Sequence, residues 1–140
     1  SIDPGISKCG LLLADKELGL VLEGKVVDKN SVVKLINQWI EISFIDLIVM
    51  GNGTSSSFWK SKMEQEIAIP IHLIDEKDTT LRARKRYWEL WPKKFFLRLL
   101  PAGLIIPSEN LDAIAALVIL EDYLGMKLRW PKKDSFKTWL

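Results

Sequence analysis

The run Asp46–Met50 constrains the fold more than any other stretch. After its opening acid it is unbroken in apolar character, and it ends at Gly51-Asn52-Gly53. A strand this short and this apolar is buried on both faces, which requires helices on either side of its sheet. Ile69–Ile74 repeats the pattern with only His72 interrupting it. That setting predicts a core histidine and not a general base, and Pro70 is tolerable near a strand's start.

The remaining elements follow from periodicity. Cys9–Ala14 and Leu20–Val27 are apolar, β-branched runs around the polar break Asp15–Gly19, which predicts a hairpin. Ser1–Asp3 reads as the tail of a strand, turned by Pro4-Gly5. Asn30 or Ser31 caps a helix in which Val33, Ile36 and Ile40 recur at helical spacing, reaching about Ser43. Ser55–Ser57 offer caps for a helix through Phe58, Met63 and Ile67. Thr79 or Thr80 opens an arginine-rich helix, and Ser108 caps a last one from Glu109 to about Leu124. The order β-β-β-α-β-α-β-α calls for an α/β domain with a mixed five-stranded sheet and helices on its faces. This domain is expected over residues 1–125, with 126–140 a basic, tryptophan-containing tail that serves as a nucleic-acid arm or a charged flexible end.

Composition narrows the chemistry. With 48% hydrophobic residues in 140 the chain builds one core. No run approaches the roughly 20 apolar residues of a membrane span, and no basic-then-apolar segment opens the sequence. A soluble, cytoplasmic protein with no membrane partner is expected. Cys9, the single cysteine, has no partner for a disulfide or zinc knuckle.

Acids are better placed. In open α/β sheets functional groups gather beyond the carboxyl ends of the parallel strands. Asp3 ends the first strand, Asp75 and Glu76 end the last, and Asp112 sits in the first turn of the final helix, where the helix dipole favours its anion. Each has a bland alternative: a turn-shaping Asp-Pro-Gly, a solvated strand end, a dipole-compensating surface acid. Together they offer the hard oxygens that suit Mg²⁺ or Mn²⁺. Gly51-Asn52-Gly53-Thr54 is a weak phosphate-loop signal, since it lacks the lysine and spacing of a P-loop.

Three segments carry a family resemblance. Ile2-Asp3-Pro4-Gly5-Ile6-Ser7-Lys8-Cys9-Gly10 resembles the opening of YqgF/RuvX-type and RuvC-like resolvases, in which an acid ends the first strand and a small-residue turn and a basic residue follow. Ile74-Asp75-Glu76-Lys77-Asp78-Thr79-Thr80 is similar to that family's Asp-Glu-Arg signature with its trailing threonine. The stretch from Leu111-Asp112-Ala113 to Tyr123-Leu124 resembles its final helix. The chain differs at Gly51-Asn52-Gly53, where the family has a Gly-Leu-Pro-like turn, at Lys77 in place of arginine, and over the aromatic, proline-containing Trp88–Pro107. The resemblance implies a ribonuclease H-like fold and a catalytic site of Asp3, Glu76 and Asp112. It implies two bound Mg²⁺ or Mn²⁺ ions that activate water for phosphodiester hydrolysis, and branched DNA or precursor ribosomal RNA as substrate. Resolving a junction would require a homodimer.

Between Leu81 and Arg98, Arg82, Arg84, Lys85, Arg86, Lys93, Lys94 and Arg98 face one acid, Glu89, a local charge of +6. With Lys8 and Lys77 these predict a phosphate-binding surface beside the acids, the alternative being a solvated helix face. The interleaved Trp88, Trp91, Phe95 and Phe96 are expected to pack, with base stacking the alternative. Two readings result: a metal-dependent endonuclease on structured nucleic acid, or a catalytically inactive nucleic-acid-binding or assembly module on the same fold.

Overall fold

A computed structural model describes residues 1–92, 99–101, 111–131 and 137–139. In chain order the elements are β1 (Ile2–Asp3), β2 (Lys8–Asp15), β3 (Leu20–Asp28), α1 (Val32–Ile42), β4 (Ile48–Gly51), α2 (Ser56–Glu66), β5 (Ile71–Ile74), α3 (Thr79–Leu90), α4 (Asp112–Leu124) and β6 (Lys137–Trp139). The sheet order is β5-β4-β1-β2-β3-β6. Strands β1, β4 and β5 run parallel, while β2 is antiparallel to both β1 and β3. The mixed five-stranded α/β sheet with helices on its faces is therefore present, and it is consistent with a ribonuclease H-like fold. The short β6 adds a sixth strand, parallel to β3. The expected Ser108 cap and Glu109 helix start lie outside the described residues.

Alternation along β2 divides the core. Cys9 and Leu11 join Ile2, Val27, Val32, Ile36, Trp39, Met50, Trp59 and Met63 on the side covered by α1 and α2. Leu12 joins Val21, Val26, Tyr87 and the buried run of α4 on the other. Such opposite pointing is the two-residue period of a strand. Helix α1 needs only one apolar stripe and buries Val32, Val33, Leu35, Ile36 and Trp39. Helix α4 buries seven residues in succession, Ala113–Ile119. It lies between the sheet and α3, and its alanines let it approach the sheet closely. No helix among the described residues is long and apolar enough to cross a membrane.

Two expectations need correction or extension. β5 is not buried on both faces, because it pairs only with β4 and forms the sheet's edge. His72 and Leu73 are accordingly exposed, and His72 stacks edge-on against Tyr123 at 5.7 Å instead of sitting in the core. Beyond Gly125 the chain stays in the core as far as Trp130. Leu128 is 2% and Trp130 4% exposed, and Arg129 exchanges backbone hydrogen bonds with Gly19 and Val21. Trp130 occupies the space a side chain on Gly24 would need, its ring lying 2.2 Å from where that Cβ would stand. Trp88 and Trp91 pack onto the same cluster, Trp91 with its ring 5.5 Å from that of Trp130. Phe95, Phe96, Lys132 and Lys133 lie outside the described residues.

Because Trp130 fills core volume, Trp130→Ala is expected to cost about 3–5 kcal/mol in urea unfolding. Phe44→Ala, at a side chain 94% exposed, should stay within about 0.5 kcal/mol of the wild type. Equal behaviour of the two variants would return Trp130 to a loose arm.

Candidate active site

Each acid arrives on a different element, and glycine makes room for two of them. Asp3 closes β1, opposite Gly10 of β2. A Cβ on Gly10 would stand 1.9 Å from the backbone oxygen of Asp112. Only glycine lets the first turn of α4 settle onto β2 there, and this contact brings Asp112 alongside Asp3. On the other flank Gly51 ends β4 opposite Ile74, and the Asn52 N–H donates to the Ile74 carbonyl at 2.7 Å. The chain then turns so that Glu76 folds back over the end of β4. A Cβ on Gly51 would lie 1.8 Å from Glu76 Oε1, and one on Gly53 2.8 Å from Oε2. The Gly51-Asn52-Gly53 turn is thus a steric seat for a carboxylate.

Electrostatics records the convergence. Burial pushes the Asp3 carboxyl up to about 7, and the charges of Glu76 and Asp112 and a hydrogen bond with Glu76 push the same way. Glu76 is also raised, again mainly by burial, with its hydrogen bond to Asp3 pulling down. Both carboxyls are therefore harder to ionise than free acids, as burial and neighbouring acids at close range require. Glu76 Oε1 is buried, and no N–H of a described residue donates to it. Lys8 Nζ stands 3.3 Å from Asp112 Oδ2. Cys9, under Asp3, is no nucleophile, since burial pushes its thiol up to about 11.

Among the described residues no three His, Cys, Asp or Glu side chains already stand in closed metal-ligating geometry. The donor set nevertheless fits a hard divalent cation that retains its waters and takes one or two carboxylates. The donors are carboxylate oxygens, and Glu76 Oε1 is buried without a hydrogen-bond donor from a described residue. A cavity of about 550 Å³, lined among others by Leu11, Leu13, Trp39, Ile45 and Leu120, includes none of the three acids.

The predicted phosphate-binding cluster is divided. Lys77 is exposed directly after Glu76, and Lys85 is exposed on α3. Arg82 instead makes a two-armed pair with Asp122, its Nη1 at 2.7 Å from Oδ2. Arg86, only 11% exposed, donates to Glu121 at 2.7 Å and to the Leu128 carbonyl at 2.8 Å. Arg84 is partly buried, and Lys93, Lys94 and Arg98 lie outside the described residues. Sequence reasoning missed the acids of α4 that claim these arginines. Glu121 and Asp122 stand in a helix's last turn, where the dipole disfavours anions, and this is a signal that cations must face them.

No protein-family profile matches the sequence. Two curated proteins do, along most of its length. A "Putative pre-16S rRNA nuclease" of Psychrobacter sp. is 26% identical over 145 residues, covering 89% of this chain and 75% of its own. A protein of the same name from Maridesulfovibrio salexigens is 25% identical over 141 residues, covering 89% and 96%. The chain is thus similar over most of its length to proteins named putative pre-16S rRNA nucleases. The acids aligned by the resemblance to YqgF/RuvX-type proteins are the ones the fold gathers at the ends of β1 and β5 and at the start of α4.

Two outcomes test this geometry. Asp3 holds a proton in the folded chain that it would release when unfolded, so its contribution favours folding at low pH and fades as pH rises from about 4 to about 7. In EDTA, Asp3→Asn should therefore be more stable than the wild type at pH 8, by up to a few kcal/mol. The difference should shrink at pH 5, as read by urea unfolding. Gly51→Ala should expel the Glu76 carboxylate and weaken Mn²⁺ binding, measured by calorimetry, about tenfold or more. Unchanged binding would show that Glu76 is not seated on Gly51.

Proposed function

We propose that this chain is a metal-dependent endonuclease acting on structured RNA, with a precursor of 16S ribosomal RNA as its substrate class. The observation that carries the reading is the Asp3–Glu76–Asp112 convergence, in which burial and, after it, the two neighbouring acids make the Asp3 carboxyl harder to ionise. Such a group of acids is costly to keep together unless it serves to bind a cation. The names of the two relatives support a nuclease and supply the RNA. When bound, Mg²⁺ or Mn²⁺ supplies an activated water and stabilises the leaving oxygen.

The chain's own residues do the rest. Asp3, Glu76 and Asp112 would hold the cation, and Lys8, beside Asp112, and Lys77, beside Glu76, would draw a phosphodiester toward it. Arg82 and Arg86 keep α3 against α4 and so support the surface without contributing its free charge. Because Glu121 is only 10% exposed, withdrawing Arg86 to a phosphate would strand a buried carboxylate, at a cost of about 3–5 kcal/mol. Of the two departures behind the inactive-module alternative, the Gly51-Asn52-Gly53 turn accommodates Glu76 and so speaks for the nuclease, while most of Trp88–Pro107 lies outside the described residues.

The test is cleavage of labelled precursor ribosomal RNA and of a four-way DNA junction in Mg²⁺ or Mn²⁺, wild type against Asp3→Asn. Expected is cleavage of the RNA, reduced about a hundredfold or more in the variant. Preferred cleavage of the junction would move the substrate to branched DNA. Binding of either substrate with no cleavage by the wild type would establish the non-catalytic module.

A further inference from the structure

Helix α2 serves both carboxylate-bearing ends of the parallel strands. The loop that feeds it, residues 51–55, seats Glu76. One turn into it Trp59, 1% exposed, reaches across to the turn that follows Asp3. Its indole N–H donates to the Gly5 carbonyl at 2.9 Å. That turn has few other ties. Gly5 N–H meets Cys9 Sγ at 3.4 Å, and the thiol returns a weak contact to the same carbonyl at 3.8 Å. Lys29 N–H donates to the Ser7 carbonyl at 3.0 Å. Ile6 is 83% exposed and contributes little packing. The turn is also tight: a Cβ on Gly5 would stand 2.0 Å from the Lys8 carbonyl oxygen.

We infer that Trp59 is a positioning residue, whose indole hydrogen bond to Gly5 fixes the turn that aims Asp3 and Lys8 at the candidate metal site. The physical need is specific. Asp3 must meet Glu76 and Asp112, which arrive on other elements, so the turn that follows it has to be held in place for the three acids to converge. Pro4 is buried and fixes one dihedral, and Trp59 supplies the tertiary tether on its far side. The same turn delivers Lys8 to within 3.3 Å of Asp112, so one hydrogen bond sets two side chains. The ring is capped by Phe58, edge-on at 5.3 Å, and by Lys62, 5.4 Å from its centroid, which leaves the indole little freedom. The assignment rests on the metal-nuclease reading and goes beyond it in naming a residue that touches neither cation nor substrate.

Trp59→Phe keeps an aromatic ring in the core and removes the donor. Met63→Ala, in the same core cluster but without a bond to the turn, reports simple destabilisation, and Phe44→Leu, at an exposed side chain away from the turn, is a neutral control. Two quantities are read for each full-length chain: Mn²⁺ affinity by calorimetry, scaled to the folded fraction, and amide hydrogen exchange of Gly5 through Cys9. In Trp59→Phe the Mn²⁺ dissociation constant is expected to rise about tenfold and exchange in the turn to accelerate, while Met63→Ala lowers the melting temperature and moves neither. If Trp59→Phe behaves like Met63→Ala, with unchanged affinity and unchanged exchange, the assignment is overturned and the tryptophan is core alone. Absence of Asp3-dependent Mn²⁺ binding in the wild type overturns the metal-nuclease reading itself, and the role given to Trp59 with it.

Discussion

Holding acids together is the constraint on which the candidate active site depends. Asp3 would be a free carboxylate in water, yet in this fold its proton affinity is raised by burial and by two neighbouring acids. Each unit of such a shift corresponds to about 1.4 kcal/mol set against the charged state. The framework that imposes it is built from close backbone approach. Gly10 admits the start of α4, Gly51 and Gly53 admit Glu76, and both seats exist because no Cβ is there. Under the proposed metal-dependent reading, stability and binding are in tension at this point, since the arrangement that disfavours ionised acids is the one that would prepare them for a cation.

Charge elsewhere follows a different rule. The arginines of α3 form the most one-sided basic segment in the sequence, but two of them are spent on α4. Arg86 and Glu121 make a nearly buried pair, reinforced by the Leu128 carbonyl and by the Leu128 N–H, which donates to the same Glu121 carboxylate. That network joins α3, α4 and the segment leading to Trp130 into one unit. Among the described residues, Lys8 stands beside Asp112 and the exposed Lys77 directly follows Glu76.

Much of the architecture was legible in the sequence because it rests on local rules. The hairpin at Asp15–Gly19, the apolar stripe of α1 and the buried strand β4 each carry their period in the residues themselves. The expectation at β5 failed for a reason no local pattern holds: Ile71–Ile74 is as apolar as β4, but an edge strand and a central strand differ in their neighbours and not in their composition. His72 is exposed for that reason alone. The segment 126–130 was misjudged similarly, since Leu128 and Trp130 look like residues of a charged tail until Gly24 is seen to leave a place for the indole.

The sequence by itself determined the order of elements and the chemical kind of the site, because strand and helix periods and the identity of acids are properties of the chain. It placed Asp3 and Asp112 at element ends and left Asp75 and Glu76 undivided until the resemblance chose between them. Tertiary structure decided which acids meet, which arginines are neutralised, and where the tail goes. Those outcomes depend on distances between residues far apart in sequence, set by strand register and by four glycines, Gly10, Gly24, Gly51 and Gly53, whose significance is the space they leave for other groups.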